Sequence, residues 1–263
     1  MPRSRLIAII AVVVVAVAMG GFIAYDQILK GDTTAALTLP SAAPSAATGD
    51  ASSTSTPTAS SAASPATGSA APAASSGSVA SSDLAGNWTI ATGSVAGYRV
   101  REQLANLPAE SDAVGRTGKL TGSMTLTTSG GKTTLTAGTI SVDTTSITSD
   151  KTQRDQRLQN EGLQTSQYPT ATFTLTQPVE VPAAALAGTA SDMTLVGDLD
   201  LHGVKKSVSI PAKAQLVNGT ISVAGSLNFP LSDFNITPPN VGGFIVSIED
   251  NGTLEFLVNF TKG

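Results

Sequence analysis

The chain contains no cysteine and a single histidine, His202, among its 263 residues. The missing cysteine excludes disulfide bonds, thiolate nucleophiles, thiolate metal sites and a lipid-modified cysteine. One histidine cannot build a His-rich zinc site, and no Ser-His-Asp set has an evident second member. The net charge of −4, without any cluster of Lys or Arg, argues against a nucleic-acid partner.

The acidic residues do not form a recognisable calcium-binding loop either. Asp143, Asp150 and Asp155 lack the Asp-x-Asp-x-Asp-Gly order and the bidentate Glu of a calcium loop. His202 is predicted to occupy a turn between two strands, where it has no catalytic partner. We therefore expect a protein that is not an enzyme and that uses no metal and no other cofactor.

One long apolar run without any charge spans residues 6–25, LIAIIAVVVVAVAMGGFIAY. As a helix it would span about 30 Å, the thickness of one bilayer core. Because Arg3 and Arg5 precede it, we predict that residues 1–30 form a cytoplasmic tip and a single-pass transmembrane anchor in the cell membrane, with the remainder extracytoplasmic. The alternative is a cleaved secretory signal and a secreted protein, since residues 16–18 read Ala-Val-Ala.

The next zone, residues 31–83, consists mainly of Ala, Ser, Thr and Pro. Such a segment has too little apolar surface to offset the entropy of ordering it, so we predict a disordered linker. A glycosylated stalk is the functional alternative, because Ser and Thr with Pro is the composition of such stalks. Residues 84–263 remain as the one part of the chain able to form a folded domain.

Residues 84–263 alternate between apolar and polar side chains, as in LTGSMTLTT at 120–128 and LEFLVNF at 254–260. This period of two is typical of half-buried antiparallel strands. Turn dipeptides separate the runs, namely Gly130-Gly131, Asn218-Gly219 and Asn251-Gly252. The predicted strands are 87–104, 117–128, 132–144, 170–181, 191–201, 204–217, 219–230 and 252–261. About eight strands at this spacing favour a sandwich or a closed barrel, and closure leaves no exposed edge.

One charged segment, DKTQRDQRLQNEG at 150–162, interrupts the strand pattern. Asp150 and Gln153 have the spacing of a capping box, and Gly162 stands where a helix would end. We predict one short helix between strands three and four, held against the barrel by Leu158 and Leu163.

Arg154 and Asp155 within this segment allow two interpretations. Arg154 could face an anionic or quinone-like head group at the mouth of a barrel. Alternatively, both residues could attach the helix to the barrel through charge-assisted hydrogen bonds.

Several stretches resemble the YceI-like family when taken together and in order. They are the opening WTIATGSVAGYRVRE from Trp88, residues 144–176 with the Arg-Asp pair and Tyr-Pro, GDLDLHGVKKSVSIP at 197–211, and residues 229–256. The resemblance covers nearly all of residues 84–263. It implies a lipocalin-like, antiparallel, eight-stranded β-barrel whose interior holds a polyisoprenoid or a related amphiphilic lipid.

The strands are rich in Thr, Ser, Gly and Ala, which favours a cavity over a filled barrel. We therefore predict a membrane-tethered binding or carrier protein for a long-chain isoprenoid lipid, with a quinone among the candidates. Ligand-binding residues are predicted from alternation and motif position to be Phe173, Leu175, Leu195, Leu199, Phe229, Phe244, Phe256 and Arg154. The alternative is a filled barrel that serves as a structural or interaction module of the cell envelope. Pairing of two barrels into a homodimer is left open.

Overall fold

A computed structural model describes residues 34–40, 84–104, 110–238 and 245–263. The predicted membrane span and most of the predicted linker lie outside the described residues. Within these four ranges, no helix is long and apolar enough to cross a bilayer.

The described part of the domain forms one antiparallel sheet in the order β1-β4-β5-β6-β8-β9-β10-β11-β2-β3, with β7 beside β5. The strands are β1 Gly86–Ile90, β2 Val95–Leu104, β3 Ser111–Thr117, β4 Leu120–Ser129, β5 Lys132–Asp143, β6 Thr170–Leu175, β7 Val179–Glu180, β8 Ser191–Leu201, β9 Val204–Val217, β10 Thr220–Pro230 and β11 Ile245–Lys262. The helices are α1 Thr152–Arg157 and α2 Ala183–Leu186, with a π-helical turn at Leu158–Gly162 and 3₁₀ turns at Thr144–Ser146 and Leu231–Phe234.

The sheet closes on itself because β1 pairs with both β4 and β11. We use the word stave for one position around the barrel wall, which a single strand or two consecutive strands can fill. Strands β1 and β2 together fill one stave, and β3 and β4 fill the next, because β2 pairs with β3 and β1 pairs with β4. The bend between β1 and β2 is held by Ser94, whose hydroxyl donates to the carbonyl of Ala91 and accepts from the amide of Asn259. The predicted fold, a closed antiparallel barrel of eight strands with a short helix between the third and fourth, is confirmed.

Several predicted strand bounds need correction. The stave predicted over 87–104 is broken into β1 and β2, and 170–181 contains the separate strands β6 and β7. Strand β3 was not predicted, because its buried positions carry small or polar residues such as Ala113, Gly115 and Thr117. The last strand begins at Ile245, seven residues before the predicted start.

Two of the three predicted turn dipeptides are confirmed. Gly130-Gly131 and Asn218-Gly219 each join paired strands with positive φ at both residues, the conformation of tight hairpins. The prediction for Asn251-Gly252 is wrong, because both residues lie inside β11 opposite Pro230 and Phe229. A Cβ at Gly252 would lie 2.9 Å from Leu231 Cδ2, so a larger residue there would require the Leu231 side chain to move.

The two ends of the barrel differ in how they are covered. We call the end that carries α1 the mouth, and the end that carries α2 the packed end. At the packed end, Trp88 is 2% exposed and its indole N–H donates to the carbonyl of Leu84 over 2.9 Å. Buried residues around it belong to the main apolar core, among them Leu126, Leu135, Val258 and Phe260.

A short piece of the predicted linker, residues 34–39, lies against the outer face of the barrel. Arg99 donates to the carbonyl of Thr34 over 2.7 Å, and Arg116 donates to the carbonyl of Ala35. Both arginines also form ion pairs with Glu255, whose side chain is only 3% exposed although it points away from the barrel interior. The contact therefore covers a buried charge cluster that spans β2, β3 and β11.

Candidate functional site

The barrel encloses a cavity of about 330 Å³ that opens toward the mouth. Its wall is apolar and comes from nearly every stave, including Ala96, Val100, Leu120, Ile140, Val142, Leu201, Ile210 and Leu254. A volume of this size, lined mainly by aliphatic and aromatic side chains, is typical of a small-molecule binding site.

The structure places six of the eight predicted ligand-binding residues on this wall: Phe173, Leu195, Leu199, Phe229, Phe256 and Arg154. Leu175 instead lines a separate space of about 40 Å³ on the side of the packed end. Phe244 lies outside the described residues. Contact of any of these side chains with a ligand remains a prediction.

The sequence did not lead us to predict that β2 and the loop after β5 line the cavity. Tyr98 and Glu102 on β2 line the cavity, together with Ile147 from the loop after β5. A signal was present, because Ala96, Tyr98, Val100 and Glu102 share one parity of the alternation and therefore one face of the strand. A glutamate at an inward position is unusual enough to mark a site.

The predicted capping box at the start of the helix over the mouth is wrong. Helix α1 begins after Lys151, whose side chain makes no capping hydrogen bond, and Asp150 pairs with Arg154 instead. Asp155 fixes the loop before the helix, since one carboxylate oxygen accepts from both the amide and the hydroxyl of Ser149, at 2.9 and 2.6 Å.

The helix does not stop with a glycine cap, because it continues into the π-helical turn. The amide of Leu163 donates to the carbonyl of Leu158 over 2.6 Å, and Gly162 is the last residue of the turn. Leu158 and Leu163 are half-buried and line the cavity, so the predicted apolar stripe does face the barrel. Their contribution makes this segment a wall of the site as well as its cover.

An ion pair joins this cover to the barrel. Glu102 is 3% exposed and accepts from Arg154 Nη2 over 2.5 Å, while Arg154 Nη1 pairs with Asp150. Burial works against the charged guanidinium, but the hydrogen bond and charge of Glu102, with help from Asp150, outweigh it and raise the pKa of Arg154. Arg154 therefore attaches the helix to the barrel, as the second interpretation predicts, and it also lines the cavity. Its contact with a head group remains a prediction.

Two hydrogen-bond donors near this ion pair have no partner among the described residues. The hydroxyl of Tyr98 and the Nε of Arg154 are both buried and unmatched. Burial raises the pKa of the Tyr98 phenol, an effect that the Arg154 charge only partly offsets. Tyr98 is consequently a neutral donor at physiological pH, placed in the wall of the cavity.

His202 occupies the predicted turn, with φ of 54° in the two-residue connection between β8 and β9. Its Nδ1 lies 3.0 Å from the carbonyl oxygen of Phe234, and its ring meets that of Tyr168 edge-on at 4.6 Å. These contacts give it a packing role at the mouth. In the part of the chain that the structure describes, no three His, Asp or Glu residues are grouped as metal ligands.

Comparison with known proteins agrees with this architecture. Residues 88–260 match the model of the YceI-like domain. The chain belongs to the YceI-like family. The curated Protein YceI of Escherichia coli O6:H1 is 35% identical over 75 residues, which cover 28% of this chain and 35% of that protein. The chain thus matches only about a third of the length of that relative.

Solved structures similar to the YceI-like barrel include a polyisoprenoid binding domain from Saccharophagus degradans implicated in plant cell wall breakdown. It is 20% identical, with a TM-score of 0.51, and the match covers 68% of this chain and 99% of that domain. BcnA of Burkholderia cenocepacia is 18% identical with a TM-score of 0.47, over 63% of this chain and 95% of that one. The first of these similarities supports the barrel fold.

Proposed function

We propose that this YceI-like barrel binds and carries a long-chain isoprenoid lipid whose tail occupies the cavity. The observation that carries the proposal is the division of the wall: it is apolar along its depth, and its unmatched donors, Tyr98 and Arg154 Nε, lie close to the mouth. An amphiphile with one polar end matches that division. The polyisoprenoid-binding description of the Saccharophagus degradans domain supports the same ligand class.

The charges at the mouth favour an uncharged head group. Three cations line this part of the wall, Lys151, Arg154 and Arg157. Three carboxylates lie on the same segments: Glu102 and Asp150 pair with Arg154, Asp150 also pairs with Lys151, and Asp155 accepts from Ser149. The formal charges of these cations and carboxylates cancel, so a diphosphate would have to compete with Glu102 for Arg154 at a cost in desolvation. A quinone carbonyl or an alcohol oxygen needs no counter-charge and can accept from Tyr98.

The energetics suit a carrier. Burial of a tail contributes roughly 0.8 kcal/mol per CH₂ relative to water, but a lipid taken from a bilayer has already left water, so this contribution nearly cancels. Selectivity must then come from the shape of the cavity and from the head-group donors. We further propose that residues 6–25 anchor the protein in the cell membrane, which would hold the barrel at high effective concentration near its ligand. Cleavage and secretion is the alternative.

Binding without catalysis is the proposed activity. The acidic side chain of the cavity wall that could serve as a base, Glu102, is committed to Arg154. The alternative of a filled barrel acting as an envelope interaction module is disfavoured by the 330 Å³ cavity.

Native mass spectrometry of the full chain, purified from its own membranes without added lipid, tests this proposal. We expect a stoichiometric adduct whose extracted mass is that of an isoprenoid quinone or alcohol. A ligand-free mass, combined with no uptake of added quinone or polyprenol, would contradict the carrier function and favour the alternative of an envelope interaction module.

A further inference from the structure

The interior of the barrel has a second, smaller space beyond the main cavity. This lower cavity of about 40 Å³ is lined by Leu135, Met193, Val223 and Phe260, which belong to the packed end. Four side chains line both spaces: Ile140, Phe173, Leu195 and Phe256. We call these four residues the waist.

The waist encircles the interior. Ile140 and Phe173 are directly opposed on β5 and β6, and Leu195 stands on the adjacent strand β8. Phe256 lies on β11, four staves from β6 in either direction around the barrel. The two phenylalanines therefore project from opposite walls at the level where the main cavity narrows.

Each of these rings lies over a glycine of a neighbouring strand. A Cβ at Gly197 would be 2.6 Å from Phe173 Cζ, and a Cβ at Gly225 would be 2.7 Å from Phe256 Cζ. Phe256 is buried, whereas Phe173 is half-buried and packs against both the main core and the smaller cluster at the mouth. Phe173 is accordingly the more exposed of the two rings and the one that contacts side chains of both the main core and the mouth.

The lower cavity has a deformable lining. Met124 and Met193 both border it, and they are the two methionines of residues 84–263. Methionine is unbranched and adapts its shape to irregular spaces, so it can yield to an incoming chain. An aliphatic tail that passes the waist would meet these side chains first.

We propose that Phe173 sets the length of lipid tail that the barrel accepts, and that the lower cavity receives the end of a longer tail. The inference rests on the proposed lipid-binding function and adds a specificity-determining residue to it. Removing the ring joins the two spaces into one longer cavity. Filling the lower cavity shortens the accepted tail without touching the main one.

The experiment is a competition among farnesol, geranylgeraniol and solanesol for the full-length protein, read by native mass spectrometry. For Phe173→Ala we expect the preference to move toward a longer alcohol by about tenfold relative to the unmodified chain, the size of effect that a few methylenes produce in a shaped pocket. Phe229→Ala is the matched control, because Phe229 lines the main cavity alone. It should weaken all three alcohols alike.

Gly138→Val tests the same idea from the other side. Gly138 lines the lower cavity, and a Cβ there meets Met124 Cβ at 3.8 Å and Leu175 Cβ at 3.9 Å, which are ordinary contacts. We expect it to lower binding of the longest accepted alcohol and to spare shorter ones. An unchanged length preference in both variants, with binding retained, overturns the role of the waist, whereas no binding of any alcohol by the unmodified chain overturns the lipid function itself.

Discussion

The mouth and the packed end of the barrel are stabilised by different forces. At the packed end, Trp88, Leu126 and Val258 are almost fully removed from water and hold the staves by apolar contact. At the mouth, the cover is attached by the charged group of Glu102, Arg154 and Asp150. Apolar packing stabilises a fold strongly and without directional requirements. A buried ion pair stabilises it only when its geometry offsets the cost of removing both charges from water. The difference places the tightest apolar packing at one end and the open cavity at the other.

The largest effect is expected at the packed end. Replacing Trp88 by Ala removes a fully buried ring and leaves a cavity, which should lower the free energy of unfolding by about 3–5 kcal/mol. Denaturant titration followed by circular dichroism measures this loss. Val217→Ala is the control at the same end, because Val217 is 41% exposed and should change stability little. Equal losses in the two variants would contradict the assignment of the tightest apolar packing to this end.

A smaller loss is expected at the mouth. Glu102→Gln leaves the Arg154 guanidinium partly buried without its main counter-charge, so we expect a loss of about 2 kcal/mol, also measured by denaturant titration. Lys132→Met is the control, since it breaks the exposed pair between Lys132 and Glu180 and should cost less than about 1 kcal/mol. A loss no larger than that of the control would show that the Glu102 pair does not hold the cover.

The smallest effect on stability, and the sharpest separation from binding, is expected for Tyr98→Phe. The substitution removes a buried hydroxyl that has no partner, so thermal unfolding should stay unchanged or rise by a degree or two, equivalent to roughly 0.5 kcal/mol. Affinity for an isoprenoid quinone, measured by fluorescence quenching, should fall about tenfold if the phenol donates to the head group. Lower stability with unchanged quinone affinity would assign the hydroxyl a structural role instead.

The sequence predicted the barrel well because most of its strands carry a local signature. Alternation in β8, β9 and β10 placed these strands within one residue of their observed bounds. Strand β3 has no such signature, since its inward residues are small, and it is a strand because β2 pairs with it along seven residues. The same dipeptide, Asn-Gly, turns the chain at Asn218 but not at Asn251, where the sheet on both sides overrides the local preference.

The apolar wall of the site was accessible to prediction, but its polar group was not. Phe173 and Leu199 were identified because inward positions of regular strands can be counted. The pair between Glu102 and Arg154 joins residues 52 positions apart, on a strand and on a helix that crosses the mouth. No local sequence pattern indicates a contact between residues so far apart in the chain. Only the folded barrel shows that Glu102 pairs with Arg154.

The contact of residues 34–39 with Arg99 and Arg116 makes part of a low-complexity region belong to the folded barrel. The carbonyl oxygens of Thr34 and Ala35 accept from these two guanidinium groups beside Glu255, whose side chain is only 3% exposed. Donors next to a buried carboxylate are costly to leave unmatched. A shortened chain that begins at Leu84 would lose both acceptors, so the barrel should be less stable without residues 34–39 than with them.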